Sequence, residues 1–364
     1  MEFICTKCGR KEAVTTRAAH CACGGLWRLA YEPPKFDLAE IDRNEWSLFR
    51  YRRFLALDDE SWRSVSMGEG MTPVVRLDDN VLLKMDYFMP TLSFKDRGAA
   101  TLIAHCKSIG VQQVVQDSSG NAGNAVAAYC ARSGIGCEIF VPEGTSPKKI
   151  DMIRAHGAMC TVVPGTRDHC ADVCREKVER EGVYYANHVY NPFFYEGTKT
   201  YIYEVFEQLG RIPANLVIPV GNGTLFLGAM YALEHLFNSG VIDRFPQIIA
   251  LQSQNCDPLL RAAEHGKTEP EAVMPAPTIA EGIAIGKPMR GREILTLAEK
   301  HGVHFIHAPE EQILSARATL AKKGIYCEHT PAANYAAYLE YCRVYGKTSD
   351  TLITMCGAGL KSDH

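Results

Sequence analysis

Short apolar runs alternate with helical patterns along most of this 364-residue chain, and this alternation restricts the fold more than any other feature. Strands are predicted at residues 114–115, 137–141, 161–163, 216–220, 248–251 and 351–355. Helices are predicted at residues 121–132, 147–156, 167–180 and 224–238. Continuous apolar strands joined by helices are typical of parallel sheets that are covered on both faces. The pattern predicts an α/β fold with mostly parallel sheets, and residues 254–278, with four prolines, should form a loose surface excursion.

Composition and charge argue against several classes of protein. The chain has 39 Lys and Arg against 42 Asp and Glu, and no basic stripe favours nucleic acid binding. No stretch approaches the ~20 apolar residues needed to span a membrane. The first residues carry no secretion signal, so we expect a cytoplasmic protein with reduced thiols.

Four cysteines near the N-terminus form two close pairs, Cys5 with Cys8 and Cys21 with Cys23. Zinc takes four soft ligands in a tetrahedron, and two such pairs supply them. The second pair has one intervening residue where two are usual, His20 is an alternative ligand, and an unmetallated cysteine-rich segment is the remaining alternative. We predict a structural Zn²⁺ site, because four protein ligands leave no open position for catalysis.

A lysine, Lys95, stands between an apolar run and the predicted start of a helix. A lysine held near apolar surface or other cations has a lowered pKa, because its charged form is disfavoured. Such an amine can attack a carbonyl and form a Schiff base. Most lysines are solvated surface charges, so the neighbouring motifs have to support this role.

The turn after the strand at 114–115 contains Ser118, Ser119, Gly120 and Asn121. Its amides and hydroxyls suit a carboxylate, because the start of a helix favours anions. A plain helix cap made by Ser119 or Asn121 is the simpler interpretation of these residues when they are considered alone.

A second turn between a strand and a helix contains Gly221, Asn222, Gly223 and Thr224. Its two glycines allow the backbone to approach a phosphate closely. The turn fails the patterns for dinucleotide and triphosphate sites. A reactive lysine, a carboxylate turn and a phosphate turn together suit an aldehyde cofactor that bears a phosphate.

Five ordered motifs resemble those of the threonine synthases, within the pyridoxal-phosphate enzymes of the tryptophan synthase β fold (fold type II). Residues 93–98 read Ser-Phe-Lys-Asp-Arg-Gly and resemble the lysine motif of that family. Residues 68–73 match G-E-G-x-T-P, residues 187–200 resemble N-x-x-x-N-P…E-G-x-K-T, and residues 356–361 resemble T-G-x-G-L-K. The cysteine-rich start is similar to the zinc-ribbon N-terminus of many members.

The resemblance implies pyridoxal 5'-phosphate as the cofactor and a role for each matching residue. Lys95 would form the Schiff base and move protons, and Asn121 would bond the 3'-oxygen of the cofactor. Cys356 would face the pyridine nitrogen. The cofactor phosphate would be held by Gly221, Asn222, Gly223 and Thr224. The substrate-binding residues would be Ser118, Ser119, Gly120, Ala122, Thr198 and Lys199.

The resemblance also implies two three-layer domains with mostly parallel sheets, and it implies a homodimer. A zinc-ribbon-like segment would cover residues 1–32, and a large cofactor-binding domain would combine residues 33–89 with residues 189–364. A small mobile domain at residues 90–188 would close over the substrate and exclude water.

The implied activity is elimination and replacement at the β or γ carbon of a small amino acid. Among the possible reactions, the resemblance favours conversion of O-phospho-L-homoserine and water to L-threonine and phosphate. Several residues depart from the family pattern: Cys356 stands where a hydroxyl is usual, Thr198 replaces a glutamine, and Ala122 and Gly123 replace a Thr-Ser pair. These departures leave open β-replacement on O-phosphoserine, as in cysteate synthase, and serine or threonine ammonia-lyase activity. A non-catalytic homologue that binds cofactor or zinc is the alternative outside enzymes, and the presence of Lys95 argues against it.

A phosphorylated substrate would need cations for its own phosphate. The sequence shows no arginine in a pattern that would identify it as a phosphate ligand. The candidate cations are Arg154, Arg167, Lys148, Lys149 and Lys199. Each of them is more often a solvated surface charge than a ligand.

Overall fold

The structure, a computed structural model, describes residues 1–57 and 59–361, and the elements below are those of the described residues. The strands are β1 (Glu2–Cys5), β2 (Lys11–Ala13), β3 (Trp27–Leu29), β4 (Val74–Arg76), β5 (Val81–Lys84), β6 (Gln113–Gln116), β7 (Gly136–Pro142), β8 (Met159–Val163), β9 (Tyr184–Tyr185), β10 (Asn215–Pro219), β11 (Gln247–Ser253), β12 (His304–Ala308) and β13 (Thr351–Thr354). The helices are α1 (Lys95–Ser108), α2 (Asn121–Ser133), α3 (Pro147–Ala155), α4 (Arg167–Glu181), α5 (Phe193–Leu209), α6 (Thr224–Asn238), α7 (Pro258–Glu264), α8 (Gly291–His301), α9 (Glu310–Lys322) and α10 (His329–Tyr345). Among these helices, none is long and apolar enough to cross a membrane.

The chain comprises two compact units, and each is assembled from separate segments. Unit 1 contains residues 1–70 and 95–198, and unit 2 contains residues 71–94 and 199–361. The division into a ribbon, a large domain and a small mobile domain that the sequence suggested stays a prediction, as does closure over the substrate.

Unit 1 contains two sheets. An antiparallel sheet near the N-terminus has the strand order β2-β1-β3. The second sheet has the order β8-β7-β6-β9 and all its strands are parallel. Helices α2, α3 and α4 follow β6, β7 and β8, so their N-terminal ends lie at the carboxyl edge of this sheet, where α/β proteins bind ligands.

Unit 2 contains a sheet with the order β12-β11-β10-β13-β5-β4, in which β4 pairs antiparallel and the other strands pair parallel. Its central strand β10 is fully buried over Leu216, Val217 and Ile218, as expected for a parallel strand covered on both faces. Helix α6 leaves the carboxyl end of β10. These two sheets, one parallel and one mostly parallel, confirm the predicted α/β fold.

All of the strands and helices predicted above occur within two residues of their expected limits. The prediction for residues 254–278 is wrong in part, because this stretch contains helix α7. Leu259 and Leu260 of α7 are buried, and the helix packs on α8 and β12. Burial of this leucine pair stabilises a short helix that proline-rich flanks had obscured.

A buried ion pair anchors the start of unit 2. Lys84 on β5 and Glu204 on α5 are both 0% exposed, and the Lys84 Nζ lies 2.5 Å from a Glu204 carboxylate oxygen. The same carboxylate accepts hydrogen bonds from the backbone N–H groups of Met71 and Thr72, at 2.8 and 2.6 Å. Lys84 also donates to Gln208 at 2.9 Å. The pair therefore fastens residues 71–73 to α5 and leaves neither charge unpaired.

We expect Glu204→Gln to lower the free energy of unfolding by about 3–5 kcal/mol, because it removes the carboxylate charge that pairs with the buried Lys84. Urea denaturation followed by circular dichroism measures this change. Lys267→Gln is the control, since Lys267 pairs with Glu271 on the surface of the same unit and should cost less than about 1 kcal/mol. Similar small losses in both variants would contradict the anchoring role of the buried pair.

Candidate active site

Lys95 is the first residue of α1 in unit 1 and is partly exposed. Two glycines bring α1 against the start of α5. A Cβ on Gly98 would lie 2.3 Å from the Phe194 ring, and a Cβ on Gly197 would lie 1.8 Å from the carbonyl oxygen of Arg97. Only glycine allows such close approach, so these contacts determine the position of the helix that carries Lys95 against α5.

The residues that precede Lys95 pair with the C-terminal motif inside unit 2. The N–H of Phe94 donates to the carbonyl oxygen of Cys356 at 3.1 Å, and Ser93 forms an antiparallel bridge with Gly357. Cys356 itself is buried. Two motifs that are far apart in the sequence therefore share one backbone pairing, and Cys356 bonds to the residue next to Lys95.

The predicted carboxylate turn joins β6 to α2. Gly120 occupies the cap position of α2 in an extended conformation, and no side chain of a described residue caps this helix end. Ser118 is buried, whereas Ser119 and Asn121 are partly exposed. A Cβ on Gly123 would lie 1.8 Å from the Ser118 carbonyl oxygen, so a glycine is required where α2 passes the turn. Backbone amides rather than side chains thus dominate this helix start, which suits an anion.

A histidine with no predicted role lies next to this turn. His188 Nδ1 is 3.2 Å from Nε2 of Gln116, the last residue of β6, and the His188 ring stands edge-on to Phe194 at 5.8 Å. Burial lowers the pKa of His188 well below its usual range, and the positive charges of Lys95 and Arg167 lower it further. The same Phe194 ring packs against Gly98 of α1, so His188 lies in the same region of unit 1 as the helix that carries Lys95. His188 belongs to the family motif at residues 187–200, and its place in that motif is the one sequence feature that could have identified it as a site residue.

Asn187 holds this motif in place. Its Nδ2 donates to Asp117 at 2.8 Å, and its Oδ1 accepts the N–H of Val189 at 2.8 Å. Tyr185 also donates to Asp117, at 2.5 Å. Burial raises the pKa of Asp117, and its two donors act in the opposite direction. Asp117 lies between Gln116 and Ser118, so these bonds tie the motif to the carboxylate turn.

Residues 66–70, which include the first part of the motif at 68–73, are bonded to helix α2. Glu69 is 0% exposed and accepts hydrogen bonds from the Tyr129 hydroxyl on α2 at 3.1 Å and from the Met67 N–H at 2.8 Å. Burial raises the pKa of Glu69 to about 7. The carboxyl group therefore connects residues 66–70 with the helix that begins at the carboxylate turn.

The predicted phosphate turn lies in unit 2, before α6. Gly223 adopts a left-handed conformation (φ +78°), and a Cβ there would lie 2.4 Å from the Ile294 side chain. A Cβ on Gly221 would lie 3.0 Å from Ile285. Among the described residues, no side chain caps the start of α6. A tight glycine turn at the start of a long helix fits a phosphate group, and the donor set therefore fits pyridoxal phosphate.

A buried polar group that the sequence did not reveal lies in unit 2 near Cys356. Asn334 on α10 is 0% exposed, and its Nδ2 donates to the carbonyl oxygen of Thr354 at 2.6 Å. Its Oδ1 has no hydrogen-bond partner in the described part of the chain. The Tyr201 hydroxyl lies 2.8 Å from the Thr354 hydroxyl. The end of β13, two residues before Cys356, therefore carries several polar groups, one of them unsatisfied.

The remaining predicted residues divide between the two units. Thr198 is buried in unit 1, where its hydroxyl donates to the Tyr195 carbonyl of its own helix at 3.2 Å. Lys199 is buried in unit 2. Ala122 is buried in the first turn of α2.

The candidate cations for a substrate phosphate in unit 1 lie at different helix ends. Lys148 and Lys149 lie in the first turn of α3, and Arg167 is the first residue of α4. Arg154 lies in the last turn of α3, at the end opposite to the carboxyl edge of the sheet. Of these four residues, Arg167 has an electrostatic effect on His188.

The four predicted metal ligands come together in unit 1. The Sγ atoms of Cys5, Cys8, Cys21 and Cys23 all lie within 4.8 Å of one another. A Cβ on Gly25 would lie 2.5 Å from the Cys5 Sγ, so a glycine is needed for the second pair to fold against the first. The ring of His20 instead lies 3.0 Å from a backbone carbonyl, and it is not part of this group. The cluster can hold a metal ion.

Comparison with known proteins agrees with this geometry. The family described as pyridoxal-phosphate dependent enzyme matches residues 65–357. This chain belongs to that family. It is 30% identical to the threonine synthase of Methanocaldococcus jannaschii over 347 residues, which cover 91% of this chain and 85% of the relative. It is 30% identical to the threonine synthase of Mycobacterium leprae over 322 residues, which cover 85% of this chain and 87% of that protein.

Solved structures of pyridoxal-phosphate enzymes share the fold. The processed form of threonine deaminase isoform 2 from Solanum lycopersicum matches with a TM-score of 0.71 at 21% identity and covers 90% of this chain and 86% of its own. Maize serine racemase matches with a TM-score of 0.69 at 20% identity and covers 84% of this chain and 94% of its own. The predicted resemblance to the tryptophan synthase β-like fold is therefore confirmed.

We expect Gly223→Ala to weaken the binding of pyridoxal phosphate by about ten- to hundredfold, because the new methyl group would collide with Ile294 and move the turn. Visible absorbance of the cofactor after dialysis measures this loss. Gly240→Ala is the matched control, since Gly240 also has a left-handed backbone (φ +74°) but no atom lies within 4 Å of its Cβ position. Equal cofactor retention in both variants would contradict the assignment.

Proposed function

We propose that this enzyme converts O-phospho-L-homoserine and water to L-threonine and phosphate. The observation that carries this proposal is the 30% identity with threonine synthases over 91% and 85% of this chain. The matched region of the family includes Lys95, both anion turns and Cys356. The proposal also accounts for the lysine at a helix start, which the close contacts of α1 with α5 hold in one position.

The residues of the site have separate tasks under this proposal. The Lys95 amine holds the cofactor aldehyde, and Asn121 bonds the cofactor's 3'-oxygen. Gly221, Asn222, Gly223 and Thr224 hold its phosphate. Cys356 faces the pyridine nitrogen with a thiol, which is a weak hydrogen-bonding group. When bound, the cofactor supplies an electron sink for the substrate α carbon.

The remaining assigned residues act on the substrate. The amides and hydroxyls of Ser118, Ser119 and Gly120 orient the substrate carboxylate, and Ala122 leaves room beside it. Lys95, as a free amine, takes the proton from the α carbon and moves protons at the neighbouring carbon. Thr198 and Lys199 belong to the same substrate region.

A second candidate is ammonia release from serine or threonine, or replacement at the β carbon of O-phosphoserine as in cysteate synthase. The residues after Asn121 favour it, because Ala122 and Gly123 stand where the threonine synthases have a Thr-Ser pair, next to the turn assigned to the substrate carboxylate.

The deciding experiment is product analysis with protein loaded with pyridoxal phosphate. Phosphate and L-threonine should appear from O-phospho-L-homoserine, and Lys95→Ala should abolish both products because the amine is lost. A keto acid and ammonia from serine or threonine, or cysteate from O-phosphoserine and sulfite, would instead establish the second candidate. A protein that never takes up the cofactor would be a non-catalytic homologue.

We also propose that the cysteine cluster binds one structural Zn²⁺. Four Sγ atoms within 4.8 Å suit tetrahedral thiolate ligation. Cys5 and Cys21 pack in one cluster with Phe3, Trp27 and Phe193, so the metal would stabilise the N-terminal sheet on the rest of unit 1.

Metal analysis should find about one zinc per chain. Cys21→Ser should lose that zinc, since three thiolates hold it more weakly than four. Cys160→Ser, in the same unit but outside the cluster, should keep it. Equal zinc content in the two variants, or none in the unaltered protein, would refute the site.

A cytoplasmic location and a homodimer complete the proposal. All fourteen cysteines lie in the described residues as thiols, which suits a reducing compartment. The homodimer rests on the resemblance to the threonine synthases alone. A sedimentation mass of one chain would contradict the homodimer.

A further inference from the structure

His188 has no part in the roles assigned above, although it lies near Lys95. It is 8% exposed, and its Nδ1 lies 3.2 Å from Gln116 Nε2. An amide nitrogen donates and does not accept, so Nδ1 accepts this bond and the ring proton is on Nε2. Gln116 thus selects the tautomer of the imidazole.

The second nitrogen of the ring is available to a ligand. His188 Nε2 has no hydrogen-bond partner among the described residues, and it is not among the polar atoms that are sealed from solvent without a partner. The edge-on contact with Phe194 and the bonds of Asn187 hold the ring and its backbone. A nine-tenths buried imidazole therefore presents one N–H to solvent-accessible space.

The charge state of His188 follows from its surroundings. Burial lowers its pKa well below the usual range, and Lys95 and Arg167 lower it further because a second positive charge is disfavoured. The imidazole is therefore neutral at neutral pH. It can recognise an oxygen through a hydrogen bond without adding charge near Lys95.

We propose that His188 determines which amino acids this enzyme accepts, because its Nε2–H donates a hydrogen bond to an oxygen on the β or γ carbon of the substrate. Gln116 is the positioning residue for that bond. Arg167, at the start of α4, adds positive charge where the oxygen belongs to a phosphate. This inference rests on the proposed function in taking an amino acid as the substrate, but it does not depend on which reaction follows.

The test compares two amino acids that differ in one hydroxyl group. Dissociation constants of L-threonine and L-2-aminobutyrate are measured by titration calorimetry on protein loaded with pyridoxal phosphate. The unaltered protein should bind L-threonine about tenfold more tightly, as one hydrogen bond implies. His188→Phe should abolish this preference and leave the affinity for L-2-aminobutyrate unchanged.

Two further variants separate recognition from general damage. His188→Gln should keep part of the preference, because its amide N–H lies near the position of the imidazole Nε2. His169→Phe, at an exposed position on α4, should keep all of it. Circular dichroism confirms that each variant is folded. An unchanged preference in His188→Phe, or no preference in the unaltered protein, would overturn the proposal.

The variant Arg167→Gln tests whether Arg167 contacts a phosphate group of the substrate and not a hydroxyl group. It should raise the KM for O-phospho-L-homoserine about tenfold, as loss of one charged contact implies, while the dissociation constant of L-threonine stays the same. Equal effects on both ligands would refute the role of Arg167. Failure of the proposed function would appear differently: the unaltered enzyme would release no phosphate from O-phospho-L-homoserine, or it would release ammonia from L-threonine. In the latter case the preference is measured as the KM for L-threonine against the dissociation constant of L-2-aminobutyrate.

Discussion

The contact between α1 and α5 is the constraint on which the lysine site depends. The carbonyl oxygen of Arg97 occupies the place where any side chain on residue 197 would begin, and the Phe194 ring does the same for residue 98. A larger residue at either glycine would separate the helices. Because Lys95 is the first residue of α1, that separation would move the amine together with the helix.

Much of the polar chemistry in this chain holds backbone in place. Glu204 with Lys84 fastens residues 71–73, and Glu69 with Tyr129 fastens residues 66–70. The donors around Glu204 offset the cost of removing its charge from water. Glu69 has donors on one oxygen only among the described residues, and burial raises its pKa to about 7. The family motifs therefore contain residues that hold the backbone in place as well as residues that are assigned to the cofactor or the substrate.

In unit 1, the amine of Lys95, which is a cation when it is protonated, lies in the same region as the neutral imidazole of His188. His188 is kept neutral by its burial and by the charges of Lys95 and Arg167, while Gln116 decides which ring nitrogen carries the proton. Selectivity among amino acids would then come from a hydrogen bond rather than from charge. A ligand that excludes water from the Nε2–H but offers it no oxygen would leave this donor without an acceptor, which lowers the affinity for that ligand.

Local patterns of residues were enough to predict the order of strands and helices, the α/β class, the cysteine pairs and the lysine and glycine turns, because periodicity and turn chemistry are local properties. They did not predict helix α7, because its short leucine-containing segment lies among prolines that indicate a loop. Three further features became visible in the folded chain: Gln116 contacts His188, Asn334 has an oxygen without a partner among the described residues, and four cysteines converge without His20. These partners are far apart in the chain, and their meeting depends on how sheets and helices pack, which no local pattern encodes.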